Sequence, residues 1–163
     1  MLKVFLSFLI FFTFAFATEE AKFVQTEYKK PFRVVYELFL DHPEKLRPAL
    51  GWISNVIFVL THPPYNFNLE DIDIVVVSHG RELEVFAKEH KDKYQDIVER
   101  LESLSQYGVK FKLCRIALTQ LYGYSEKDLY PFVETVPSAI TEIAYWQQMG
   151  YSLLIPMVFE IRR

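Results

Sequence analysis

Ile72-Asp73-Ile74-Val75-Val76-Val77-Ser78-His79-Gly80 is the stretch on which the fold turns. The run from Ile72 to Val77 is apolar apart from Asp73, which suits a strand covered on both faces better than one with a wet side. Strands of that kind belong to parallel sheets, where each return to the same edge needs a crossover, usually helical. The flanking sequence supplies the partners. Upstream, Phe32 to Phe39 is rich in branched and aromatic residues and reads as a strand. Asp41-His42-Pro43 follows as a turn and helix start, with Asp41 the expected cap. Leu46, Leu50, Ile53, Ile57 and Leu60 then recur at spacings of three and four, which predicts a helix with one apolar stripe. The Pro-rich segment from Thr61 to Asn68 is a loop.

Downstream, Glu82 to His90 and Asp92 to Tyr107 read as one or two helices, the second capped at Gly108. Val109 to Leu113 is a third strand. Ala117 to Tyr122 is a short helix stopped by Gly123, and Ser125-Glu126-Lys127-Asp128 has the spacing of a capping box. Val133 to Val136 is a fourth strand, Ser138 to Met149 a helix closed by Gly150, and Tyr151 to Pro156 the last strand. This alternation predicts a three-layer α/β sandwich with a mostly parallel sheet of about five strands.

At the front, Lys3 precedes an apolar run from Val4 to Ala17 that ends Ala15-Phe16-Ala17. The run is short for a bilayer span, is interrupted by Ser7 and Thr13, and carries small residues where a signal peptidase reads them. Residues 1–17 are therefore expected to be a signal peptide cleaved after Ala17, giving a periplasmic or secreted protein free of the membrane. Residues 18–30 are expected to be a flexible lead-in, and residues 31–163 one domain. Loss of Lys3 takes the formal charge from −3 to −4, and no basic run exceeds Lys29-Lys30, so nucleic acid is not an expected partner. The sequence contains neither a Gly-x-Gly-x-x-Gly nor a phosphate-cradling Gly-Lys-Ser/Thr loop, and no cofactor is expected. Trp52, Phe58, Tyr145 and Trp146 fall on helices, where core or interface packing accounts for them.

In an open parallel sheet the crevice lies outside the carboxyl ends of the strands. Those ends carry Asp41 and His42, His79 and Gly80, Cys114 and Arg115, then Pro137 and Ser138. Cys114 is the single cysteine of the chain. An unpaired thiol in an exported chain calls for sulfur chemistry or for a buried structural role. A thiolate is the reactive form, and an imidazole, a guanidinium or a helix N-terminus nearby favours it. His79, Arg115 and the turn after Cys114 are the expected activators. His42, Gly80 and Ser138 are the candidate substrate-binding residues around them. His42, His79 and Cys114 include ligand types that suit zinc or copper, but without the close spacing of a metal motif, so no metal is expected.

Taken in order, the opening strand with Asp41-His42-Pro43-Glu44-Lys45-Leu46, Ile74-Val75-Val76-Val77 leading to His79-Gly80, Gly108-Val109-Lys110-Phe111-Lys112-Leu113-Cys114, Val136-Pro137-Ser138, Glu142-Ile143-Ala144 and Gly150-Tyr151 form a pattern. It resembles the DsrE/DsrF-like sulfur-transfer family, which includes the TusD-type sulfur relay proteins, over about Phe32 to Pro156. The resemblance implies a flavodoxin-like arrangement, a homo-oligomer, and a cysteine that accepts sulfane sulfur as a persulfide, here Cys114. Partners are then a sulfur donor or acceptor, either a protein or a small sulfur compound. The chain departs from the relay members in its leader and in carrying Leu121-Tyr122 where a basic pair often stands. The leading expectation is an exported carrier of sulfane sulfur on Cys114. The alternative is a non-catalytic, oligomeric module that binds a small ligand or a protein and keeps Cys114 as a structural thiol.

Overall fold

The structure, a computed structural model, describes residues 20–158. The expected signal peptide lies outside the described residues. Residues 20–29 have no regular structure and are exposed. The segment is nevertheless tied down before the first strand. Tyr28 packs on Phe32 and Tyr65, and Lys30 bonds Asp71 at 2.6 Å.

Five strands form one sheet in the order β4-β3-β2-β1-β5. They are β1 (Phe32–Leu38), β2 (Ile72–Ser78), β3 (Lys110–Cys114), β4 (Val133–Val136) and β5 (Ser152–Leu154), and every pairing is parallel. The sheet is therefore parallel throughout, and all carboxyl ends share one edge. Helices α1 (Leu46–Thr61) and α2 (Gln95–Gln106) lie in the crossovers that step from β1 to β2 and from β2 to β3. They bury Leu46, Leu50, Ile53, Ile97 and Leu101 on one face of the sheet. The connection after β3 begins as a single turn, α3 (Arg115–Ala117), and continues as a π-helical turn over Leu118–Tyr122. It adds Leu118 to the same face. Helix α4 (Ala139–Gln148) carries the chain back from β4 across the whole sheet to β5. A return in that direction with right-handed connection puts α4 on the opposite face, where Ala139 and Ile143 cover Val35, Val75, Val77 and Cys114. One layer holds most of the chain, and the other is a single helix.

Three local expectations change. Glu82 to His90 is not α-helical. It is a 3₁₀ helix over Arg81–Phe86 and another over Lys88–His90. The tight turns leave Glu82, Leu83, Val85 and Phe86 all buried, and Ala87 bridges Leu129 in antiparallel fashion, which a continuous helix could not do. The helix start after β1 is a 3₁₀ turn, Pro43–Lys45, that leads into α1, and its cap is His42 and not Asp41. His42 Nδ1 accepts from Glu44 N at 3.3 Å, while Asp41 pairs with Lys45 at 2.8 Å. The single turn at α3 also cannot offer the aligned dipole expected after Cys114, because its hydrogen-bond ladder changes register within one turn.

The edge that matters is tied together by Glu82, whose side chain is fully buried. Its carboxylate accepts from Leu40 N at 2.8 Å, Ser78 Oγ at 2.6 Å, His79 N at 3.1 Å and Gly80 N at 2.8 Å. One side chain thus joins the ends of β1 and β2. Gly80 is required here by space rather than by its backbone angles. A Cβ would stand 2.5 Å from Glu82 Oε2 and 2.5 Å from Leu40 N. Gly80→Ala is expected to cost about 2–4 kcal/mol in unfolding free energy, because the atoms it meets are backbone and a fixed carboxylate.

Glu82→Gln places an amide NH₂ against backbone donors and is expected to cost about 2–4 kcal/mol near pH 7, a fall of roughly 5–15 °C in the unfolding midpoint. Burial pushes the Glu82 carboxyl up, and the bonds from Ser78, Gly80 and Leu40 only partly offset that. A carboxyl raised on folding contributes most below its ordinary range and loses that contribution as pH climbs to the folded value. Urea unfolding at matched pH should therefore show the wild-type advantage over Glu82→Gln narrowing from about pH 4 to pH 7.

Candidate functional site

Parallel register brings the strand ends side by side. Ser78 on β2 pairs with Leu113 on β3, so His79 and Cys114 stand one step further on, at neighbouring positions. Glu37 pairs with Val77 on the other side of β2. Alternation along each strand puts Val35, Val77 and Cys114 on the α4 face, and Glu37 and His79 with them. Glu37, His79 and Cys114 thus occupy three adjacent strands on one face, near the carboxyl edge. Adjacent strands are about 5 Å apart.

Cys114 is 6% exposed and packs with Val77, Ala139 and Ile143. The start of α4 lies over it. His79 keeps 14% of its side chain in solvent, and its Nε2 lies 3.0 Å from Glu37 Oε1. Its ring stacks on Phe39, with centroids 4.8 Å apart and 25° between planes. Its backbone N–H donates to Leu38 O and to Glu82. The imidazole expected to face the sulfur is therefore held by a carboxylate on its β1 side. Arg115 is two-thirds exposed and reaches Glu126 at 3.4 Å. It lines an open groove of about 700 Å³ with Ile116, Thr119, Thr135, Val136 and Pro137, beside the end of β4.

The remaining candidates divide between the two faces. Gly80 belongs to the knot around Glu82. His42 lines a separate pocket with Arg81, Glu84 and Lys93 on the opposite side of the edge from Cys114. Ser138 starts α4 without a side-chain capping bond, directly before Ala139, which covers the sulfur. Among the described residues no three His, Cys, Asp or Glu side chains gather as a metal site. His42, His79 and Cys114 do not converge.

Two residues that sequence reasoning passed over prove central. Glu82 ends four donors, and Glu37 holds His79. Glu37 shares its face of β1 with Arg33 and Val35, so its charge alone does not single it out in the sequence. Reading it requires knowing that β1 lies next to β2. Trp52, Phe58 and Tyr145 are half-exposed on their helices, and Trp146 is the one of the four that packs beside Tyr151 against the α4-side core.

The DsrE/DsrF-like family profile matches residues 65–156, more than half of the chain. A solved structure, a protein of unknown function, MTH1491, from Methanobacterium thermoautotrophicum, is similar to this chain with a TM-score of 0.61 and 23% sequence identity. The match covers 77% of this chain and 99% of that one, and shows the fold. No curated protein matches.

Although the His79–Glu37 pair is largely buried, Gln at position 79 can still donate an amide hydrogen to Glu37, so the substitution leaves no unpaired buried carboxylate. His79→Gln is expected to change the unfolding midpoint by less than about 4 °C, measured by thermal unfolding. A fall of more than about 10 °C would make His79 a structural residue.

Proposed function

The chain belongs to the DsrE/DsrF-like family, and from that premise we propose that it is an exported sulfur-handling protein that carries or relays sulfane sulfur as a persulfide on Cys114. Members of the family act in sulfur relay with partner proteins, and membership suggests a role of that type for this chain. The observation that carries the finer reading is the placement of the only thiol. Cys114 ends a central strand at the carboxyl edge, with His79 at the neighbouring position on β2.

In the transfer, the Cys114 thiolate attacks the outer sulfur of a donor persulfide R–S–SH. The new S–S bond to Cys114 forms as the donor's S–S bond breaks. The electron pair leaves with R–S⁻, which takes up the proton released by Cys114. No net oxidation occurs, and the reverse step delivers the sulfur to an acceptor thiol. His79 stabilises the thiolate or the persulfide anion from β2, while Arg115, paired with Glu126, lines the groove beside β4 in which the sulfur compound is received. The groove has room for a small sulfur compound or the tip of a partner chain. Exposed Phe39, Ile116, Leu121 and Ile140 on the segments leaving the carboxyl ends supply apolar surface for a homo-oligomer or a relay partner. Export through residues 1–17 is part of the proposal. No helix among the described residues is long and apolar enough to cross a membrane.

The burial of Cys114 favours a second reading, a binding module with a structural thiol. Intact mass before and after polysulfide treatment separates the two. The carrier reading expects a gain of whole sulfur atoms that disappears in Cys114→Ser. A wild-type mass that does not change, with native thiol labelling no faster than unfolding, overturns it in favour of the binding module.

A further inference from the structure

We infer that Glu37 is a positioning residue of this site, acting on Cys114 through His79. The inference rests on the sulfur-carrier reading of Cys114 and adds to it the group that prepares the imidazole.

A histidine that only closed a turn would need its backbone bonds. His79 has those, to Leu38 O and Glu82, and its ring is fixed as well. Phe39 covers one ring face at 4.8 Å, and Glu37 holds Nε2 at 3.0 Å. Glu37 is itself four-fifths buried, beside Val35 and Val77 on a face that also carries Arg33 and Asp73 further back along β1 and β2. An apolar residue would pack there without the cost of drying a carboxylate. A carboxylate can only accept, so the contact places the imidazole proton on Nε2 and leaves Nδ1 to take another. When His79 takes the proton of Cys114, directly or through a water, Glu37 stabilises the imidazolium that forms.

Every element around His79 contributes to this balance. Glu37 faces it from β1, and Cys114 stands beside it on β3. Glu82 meets it at the backbone N–H. The first turn of α4 brings Ser138 and Ala139, and its nearest charge, Glu142, is bonded to Trp146. Lys112, further back along β3 on the same face, is paired with Glu134. Glu37 therefore has two possible effects on the thiol, of opposite sign. Through His79 it favours the thiolate. As a bare negative charge two strands away, about 10 Å, it opposes the thiolate.

The test is the rate of Cys114 alkylation by iodoacetamide across pH, with polysulfide loading measured in parallel. The proteins are wild type, Glu37→Gln, His79→Gln and the double variant. Glu37→Gln is expected to move the midpoint of the profile to higher pH and to slow the reaction at pH 7 on the order of threefold to tenfold. In the His79→Gln background the same substitution is expected not to slow it. An unchanged profile, a midpoint moved to lower pH, or an equal upward move without His79 overturns the inference. Should Glu37→Gln fail to fold, Glu37→Ala is read in the same way. Normal sulfur loading with no change of profile sinks the role of Glu37 alone. A shifted profile in a protein that takes up no sulfur keeps that role and sinks the carrier reading.

Discussion

A carboxylate with no exposed surface must be satisfied from within, and Glu82 is satisfied by reaching across two strands. Three of its four donors are backbone N–H groups just past the ends of β1 and β2; His79 N is shared with Leu38 O, while Leu40 N and Gly80 N have the carboxylate as their acceptor. Without the carboxylate the N–H groups of Leu40 and Gly80 would be buried and unpaired, at roughly 1–3 kcal/mol each. Their common acceptor also fixes the path of the chain. Leu40 is pulled toward Gly80, Arg81 N donates to Leu40 O at 2.7 Å, and no space is left for a side chain at Gly80. His79 lies inside this knot, so its Cα is set before its ring makes any contact. The position of the candidate site is thus a consequence of a buried charge that takes no part in it.

The strand order explains why the sulfur face is thinly covered. Three successive crossovers step in one direction, and their shared handedness puts all three on one side. Only the return from β4 to β5 is available for the other side, and α4 has ten residues to cover five strands. Polar side chains can persist on that face for this reason. Asp73, Lys110, Lys112, Glu37 and His79 all stand there, each paired across to a neighbouring strand. The opposite face, under α1 and α2, is a continuous apolar core. A cysteine on that side would have been sealed by two helices.

Most of the architecture was legible because it rests on patterns that single segments carry. Ile72 to Val77 needs two covered faces wherever it lies, and the stripe from Leu46 to Leu60 needs one partner surface. Gly108, Gly123 and Gly150 end their helical segments with the left-handed backbone that their positions suggested. What could not be read was what depends on two segments at once. Glu82 lies in a stretch of polar and apolar residues that suits a helix, and its donors come from a strand end forty-two positions earlier as well as from its own neighbourhood. Glu37 and His79 meet at the same separation in sequence, because β1 and β2 are neighbours in register. The carboxyl ends were predictable as a set. Which ends stand next to each other follows from the strand order, and no single segment encodes it.

The burial of Cys114 constrains the chemistry proposed for it. At 6% exposure its sulfur is reached past Ala139 and Ile143 on α4 or past Ala117 at the turn that follows it. A thiolate there is partly cut off from water, and a bare buried anion costs several kcal/mol unless a donor or a positive charge faces it. Arg115 points outward to Glu126, so the nearest such group in register is His79. On the carrier reading, then, the anion depends on an imidazole that is itself held by Glu37, and an incoming sulfur compound must be small or must displace the first turn of α4. That turn begins at Ser138 without a side-chain cap and is held by the burial of Ala139 and Ile143 and by the bonds of Thr141 Oγ1 and Glu142 N to Ser138 O. A partner that loosened it would expose the sulfur while β1, β2 and the Glu82 knot stayed in place.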